Sequence, residues 1–189
     1  MEKYGAASIV VADYDPSWPA LFRQERIRIK KALGSFVLAI EHMGSTAVPG
    51  LPSKPIIDLL VGVPSLEDAK ERCIDPIKDL GYIYVPDYAS WLPGELFFRK
   101  GPPGPWTHHV HLMVPSHPRW ETLLAFRDYL RAHPEEAQAY ANIKRALATS
   151  SIDNIEAYRT GKNTFVEDMT EKARAWRARM QDCRGASPD

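Results

Sequence analysis

The sequence predicts an α/β (α+β) fold, a mixed β-sheet with packed helices and a C-terminal helical extension, and three observations carry that prediction. Five short apolar or alternating runs of strand length lie at 36–43, 56–63, 82–85, 96–99 and 109–114. One helical pattern precedes them, and another crosses between the second and the third. From Ser116 onward the pattern turns helical, to about residue 182.

Asp15-Pro16-Ser17-Trp18-Pro19 starts the first helix, with acid and proline where a first turn favours them. Trp18, Leu21, Phe22, Ile29 and Leu33 then recur at helical spacing, and Gly34 ends the run. Residues 36–43 alternate loosely as a strand, and 56–63 are apolar on both faces, as a strand covered on both sides requires. Ser65 with Asp68 forms a capping-box pattern for one helix reaching about Leu80 before Gly81. Residues 82–85 and 96–99 are the next strands, the second preceded by Gly94 and followed by a rigid loop over 101–105. Residues 109–114 alternate as the last strand. Trp120, Leu123, Leu124, Arg127 and Leu130 lead to a break near His133-Pro134, a second helix follows to about Ala148, and a longer charged helix covers 153–182 with Gly161 inside it. The expected organisation is a core over 1–115, a helical extension of the same domain over 116–183 and a disordered tail over 184–189.

Apolar content of 44% and charged content of 25% are those of a soluble globular chain. The 24 acids balance the 24 lysines and arginines, which argues against a nucleic-acid-coating role while leaving room for a local basic pocket. No apolar run is long enough to cross a bilayer, and the N-terminus carries no signal-peptide pattern, so no membrane partner and a cytoplasmic location are expected. Cys73 and Cys183 share no metal-ligand spacing.

The chemistry concentrates between Ile40 and Val63. A strand runs into the small-residue turn Gly44-Ser45-Thr46, and a buried strand carrying the single acid Asp58 follows. Gly44 lets backbone amides approach a ligand, Ser45 and Thr46 add hydroxyls, and Lys54 adds a cation, so these four are phosphate-binding candidates. Leu60 occupies the position where a second acid would share the face of Asp58, so this strand cannot hold two magnesium ions. In His108-His109-Val110-His111, His109 and His111 share one face of a strand, able to ligate a metal or exchange protons. With Asp58 they form the candidate catalytic and metal-ligating set. His42 is a further candidate, its plain reading being a core-edge histidine that orients the turn. Arg99 and Lys162 are candidate phosphate ligands, while Lys100 reads as edge decoration. Along the helices Arg127, Asp128, Tyr140, Lys144, Tyr158 and Lys162 recur, and the plain reading has the tyrosines packed and the cations solvated.

Gly44-Ser45, twelve residues, then Asp58 between Ile57 and Leu59 resembles the signature of the nucleotidyltransferase superfamily. More closely, Gly44 to Leu51 with Lys54-Pro55-Ile56-Ile57-Asp58 resembles the GrpB family. The match continues through His108 to His111, Phe126 to Arg131, Tyr140 with Lys144, and Tyr158 with Lys162 and Phe165, over about residues 10 to 170. The resemblance implies a nucleotidyltransferase-like mixed sheet and a Gly-Ser turn for nucleotide phosphates. Active superfamily members hold magnesium with two or three carboxylates; here Asp58 alone matches, with histidines where a third acid is expected, and Trp106 stands where an arginine is often found. The expected function is an enzyme that binds ATP or another nucleoside triphosphate with a divalent metal (magnesium, manganese or zinc). It would transfer a nucleotidyl group to a small-molecule acceptor, or adenylate that acceptor for ligation. The alternatives are a non-catalytic module binding a nucleotide or phosphorylated metabolite, and a metal-dependent hydrolase.

Overall fold

A computed structural model describes residues 10–86, 88, 93–101, 105–150 and 160–185. Its elements are α1 (Trp18–Leu33), β1 (Ala39–Met43), β2 (Ile57–Gly62), α2 (Leu66–Arg72), α3 (Ile74–Asp79), β3 (Tyr82–Tyr84), β4 (Glu95–Lys100), β5 (His108–Met113), α4 (Pro118–Ala132), α5 (Pro134–Ser150) and α6 (Asn163–Gly185). The strands form one sheet in the order β1-β2-β5-β4-β3. β2 and β5 run parallel, and the other neighbouring pairs are antiparallel. The expected mixed α/β fold is the one observed.

The two faces of the sheet are covered differently. On one, Ile40, Leu59, Val61, Val110, Leu112, Leu96, Phe98 and Tyr82 build the main core with Trp18, Ile29 and Leu33 of α1, and with Ala69 and Ile77 from α2 and α3. On the other, Met43, Leu60 and Met113 lie under Trp120 and Leu124 of α4. A third cluster joins α4, α5 and α6 to Val48 and Leu51 in the segment between β1 and β2. The helical extension is therefore anchored on the segment that carries the Gly-Ser turn.

α1 starts and ends where the sequence indicates: the Asp15 carboxylate accepts the Ser17 amide at 2.7 Å, and Gly34 ends it at φ 59°. Leu21 lies off the buried stripe and is 38% exposed. The single helix expected between Ser65 and Leu80 is two. Pro76, in the first turn of α3, has no N–H to continue the ladder back to Arg72, so the chain re-starts at Ile74. The strand expected at 96–99 begins one residue earlier, at Glu95. α6 begins after a turn at Lys162 and continues to Gly185, two residues into the stretch expected to be disordered. The start of the expected helix over 153–182, Tyr158 and the last four residues lie outside the described residues.

Candidate functional site

Parallel pairing of β2 with β5 sets Asp58 beside His109 and Leu60 beside His111, so all four share one face. Asp58 Oδ1 and His109 Nδ1 are 3.0 Å apart. One donor atom from each of Asp58, His109 and His111 lies within 4.8 Å of the others, and among the described residues this is the group of three placed to hold a metal ion. The Asp58 and His109 side chains are 24% and 22% exposed, so the cluster opens to solvent. Burial pushes the Asp58 carboxyl up, but the bond from His109 and the charges on His109, His111 and His42 more than offset this, holding it below its ordinary value of 3.8.

Behind His111 stands a residue that the sequence pattern did not single out. Glu95 is 2% exposed; its carboxylate accepts His111 Nδ1 at 3.2 Å and Arg119 Nη1 at 2.8 Å. Burial raises the Glu95 carboxyl, and the bond from His111 with the charges of His111 and Arg119 more than compensates, leaving it below the ordinary 4.5. With both Nδ1 atoms directed at carboxylates, Nε2 is the nitrogen that each ring can offer a ligand when it is neutral. Phe97 sits between them, its ring centroid 5.0 Å from that of His109 and 4.8 Å from that of His111, and Tyr88 stacks on Phe97 at 4.0 Å. The available signal for Glu95 was the one that exposed Asp58, a lone acid at the mouth of an apolar run.

The turn after β1 is built around Gly44, at φ 72° and ψ −174°. A Cβ at this position would overlap the Asp58 carboxylate, so the glycine gives Asp58 its place. Ser45 opens the single helical turn Ser45–Ala47 and is half-buried. Thr46 faces inward: it is 1% exposed, donates its hydroxyl to the Ile56 carbonyl at 3.0 Å and contacts His42 Nε2 at 3.1 Å. The expected role of Thr46 as a phosphate ligand is therefore corrected, since its one hydroxyl proton is already committed beneath the turn. That same commitment makes His42 Nε2 the donor to Thr46. His42 stacks on Phe22 at 4.6 Å, and its pKa is pushed down to about 4 by burial and by the charges of Arg131 and Arg127 against the pull of Asp58. Its plain reading, a histidine orienting the turn, matches this geometry.

The cations divide. Arg99 is the register partner of His109, so it flanks the cluster on the same face, and its guanidinium lies 4.1 Å from the Trp106 ring centroid. Lys54 is half-buried on the return from the turn to β2. Lys162 precedes α6, near enough to Lys144 to depress its pKa. Lys100 is no edge decoration: it points to the opposite face and pairs at 2.8 Å with Glu25, which is 4% exposed. The solvated reading also fails for Arg127 and Lys144. Arg127 is half-buried, held by Glu41 at 2.8 Å and by the His42 carbonyl at 3.0 Å.

Lys144, 2% exposed, donates to the Pro52 carbonyl and lies over the Tyr140 ring. Burial, then the charges of Lys162 and Arg145, push its pKa down to about 7. Above that value the folded chain has shed a proton that the unfolded chain keeps, so this group makes stability rise with pH between 7 and its ordinary 10.5. Urea unfolding of the wild type is expected to show that rise between about pH 7 and 8.5, and Lys144→Met is expected to remove it.

A family model described as GrpB protein matches residues 8–172. The chain belongs to the GrpB family. A crystal structure of the conserved protein GrpB from Enterococcus faecalis superposes with a TM-score of 0.80 at 35% identity, covering 88% of this chain and 99% of that one. The UPF0157 protein YqkA of Bacillus subtilis is 36% identical over 97% of this chain, which spans about half (52%) of that relative's length. A protein named dephospho-CoA kinase from Mycolicibacterium paratuberculosis is 30% identical over 86% of this chain and 45% of its own length. The GrpB family has a nucleotidyltransferase-like fold, and the mixed sheet described above is of that kind. Among the described residues no helix is long and apolar enough to cross a membrane.

Proposed function

We propose that this GrpB chain binds a nucleoside triphosphate together with one divalent metal ion, and transfers a nucleotidyl group to a small-molecule acceptor or adenylates that acceptor for ligation. The observation that supports this best is the convergence of Asp58, His109 and His111 within 4.8 Å beside the Gly44 turn. Two metal–ligand bonds of about 2.1 Å at a tetrahedral angle set ligand atoms about 3.4 Å apart, so the set must close by up to about 1.4 Å of side-chain movement to share an ion. The Glu95 carboxylate behind His111 is the kind of partner that fixes a ligating imidazole. One carboxylate with two imidazoles suits manganese or zinc better than magnesium. When bound, such an ion supplies electrostatic stabilisation of phosphate charge.

The chain's own groups do the rest. The amides of Ala47 and Val48 close the helical turn onto Gly44 and Ser45 carbonyls, so the Ser45 hydroxyl and the first amides of the turn are the donors left for phosphate oxygens. Lys54 and Arg99 are the cations to neutralise developing charge. Asp58, held ionised, serves as ligand or proton acceptor. The sequence contains no Gly-x4-Gly-Lys-Ser/Thr stretch, so whatever nucleotide chemistry the kinase name of a relative denotes, a phosphate here would rest on the Ser45 turn instead.

Equilibrium dialysis with ATP, with and without manganese or zinc, tests the reading. Binding strengthened by metal and lost in Asp58→Asn is the expected result; no binding in either condition at millimolar ATP overturns it. A second reading has its own observation. Leu60 is fully buried under Trp120 and Leu124, so the position for a second acid belongs to the hydrophobic core. A non-catalytic module predicts ATP binding that survives Asp58→Ala with modest loss and no nucleotide turnover.

A further inference from the structure

On the other side of the Gly44 turn, the edge strand β1 floors a cleft of about 330 Å³ between α1 and α4, at the lower end of small-molecule sites. Arg23 and Arg26 come from α1, Arg127 and Arg131 from α4, and Glu41 with His42 from β1. Four guanidinium groups thus meet two carboxylates, Glu41 in the lining and Asp128 beside it, which pairs with Arg127 at 2.7 Å and with Arg131 at 3.6 Å. In a chain whose charges sum to zero, this is a local segregation of positive charge.

Two of the arginines are fixed in advance. Arg127 is bound to Glu41 and to the His42 carbonyl, and Arg131 donates Nε and Nη2 to the Ala47 carbonyl at 2.9 and 2.7 Å. Arg131 is thereby tied to the turn that precedes Asp58. The other two are exposed and lie three residues apart on α1, with no acid at helical spacing on their face: the neighbours are Pro19, Phe22, Ile27 and Lys30. Like charges so placed repel each other, and an anion between them would remove that repulsion. His42 lies in this cleft, its pKa held down to about 4 by burial first and then by Arg131 and Arg127, against the pull of Asp58. A guanidinium fork matches phosphate or carboxylate oxygens.

We infer that this arginine cleft binds the anionic group, phosphate or carboxylate, of the small-molecule acceptor, whose other end then lies across Gly44 towards Asp58. The inference rests on the reading of Asp58 and its two histidines as the reaction centre. Titration of the full chain with inorganic phosphate and, separately, with succinate, followed by NMR, tests it. Binding of at least one probe is expected, with shifts at Arg23, Arg26 and the His42 ring, and an affinity at least tenfold weaker in Arg23→Ala/Arg26→Ala. In Lys70→Ala, which removes an exposed cation of α2, that affinity should stay within twofold. Dependence on Lys70 with indifference to Arg23 and Arg26, or binding of neither probe, overturns the cleft. Anion binding lost in the arginine variant, in a chain that binds no ATP, would keep the cleft and remove the nucleotide.

Discussion

Glu95→Ala is expected to be among the most damaging single substitutions, costing about 3–5 kcal/mol as a buried charge pair that loses one partner. The Glu95 side chain is 0% exposed and accepts from both His111 and Arg119. Arg119 is 28% exposed and can turn towards water, whereas His111, at 8%, cannot, so the lower end of the range applies. For a chain of this size, about 3 kcal/mol lowers the melting temperature by on the order of 10 °C. Glu95→Gln keeps an oxygen for His111 and should retain most of the stability. It removes the charge behind the imidazole, so metal affinity is expected to fall about 10–100-fold. Because folding depresses the Glu95 pKa, its contribution is full above the unfolded value near 4.5 and is lost as pH falls through the lower folded value. Thermal melts between pH 3 and 7 should show the wild type losing stability below about 4.5, and Glu95→Gln losing less. A Glu95→Ala protein that melts with the wild type would show that the His111–Glu95–Arg119 chain holds nothing in place.

What could be read in the sequence divides along one physical line. Period-two alternation on 109–114 and the apolar run of 56–63 settled which residues share a face, and parallel pairing of those strands then brought Asp58 to His109. Local chemistry also placed the Gly44 turn and the ends of α1. Side chains whose partners are distant in sequence escaped. Glu95 meets Arg119 24 residues on, Lys100 meets Glu25 across 75 and Lys144 meets Pro52 across 92. In each case a charged residue that composition assigns to the surface is buried, or for Lys100 half-buried, because tertiary structure supplies its partner. The split of α2 from α3 also escaped, although its local cause, Pro76, stands in the sequence. Thr46 shows the converse limit: its residue type suited a phosphate, and only the fold reveals that Ile56 and His42 had already claimed the hydroxyl.

Gly44→Ala separates backbone strain from contact with the candidate catalytic acid. At φ 72° and ψ −174° the residue occupies a region essentially confined to glycine, so any side chain costs about 1–3 kcal/mol before contacts are considered. Gly34, at φ 59° and ψ −135°, carries a comparable backbone demand, and an added methyl there would meet nothing within 4 Å, so Gly34→Ala measures that strain alone. At Gly44 the new methyl would overlap the Asp58 carboxylate and come within 3.2 Å of its Cγ, while Asp58 Cβ, at 3.4 Å, is an ordinary contact. The carboxylate must therefore swing away from His109, and metal or ATP binding is expected to fall with it. In an Asp58→Ala background the overlapping atoms are gone and only the Cβ contact remains. The destabilisation caused by Gly44→Ala should then shrink by about 0.5–3 kcal/mol, the coupling expected of touching residues. Urea unfolding of the four proteins in that cycle gives the number. A coupling near zero would mean that the carboxylate moves aside freely, and that Gly44 is required by the turn instead of by the acid it faces.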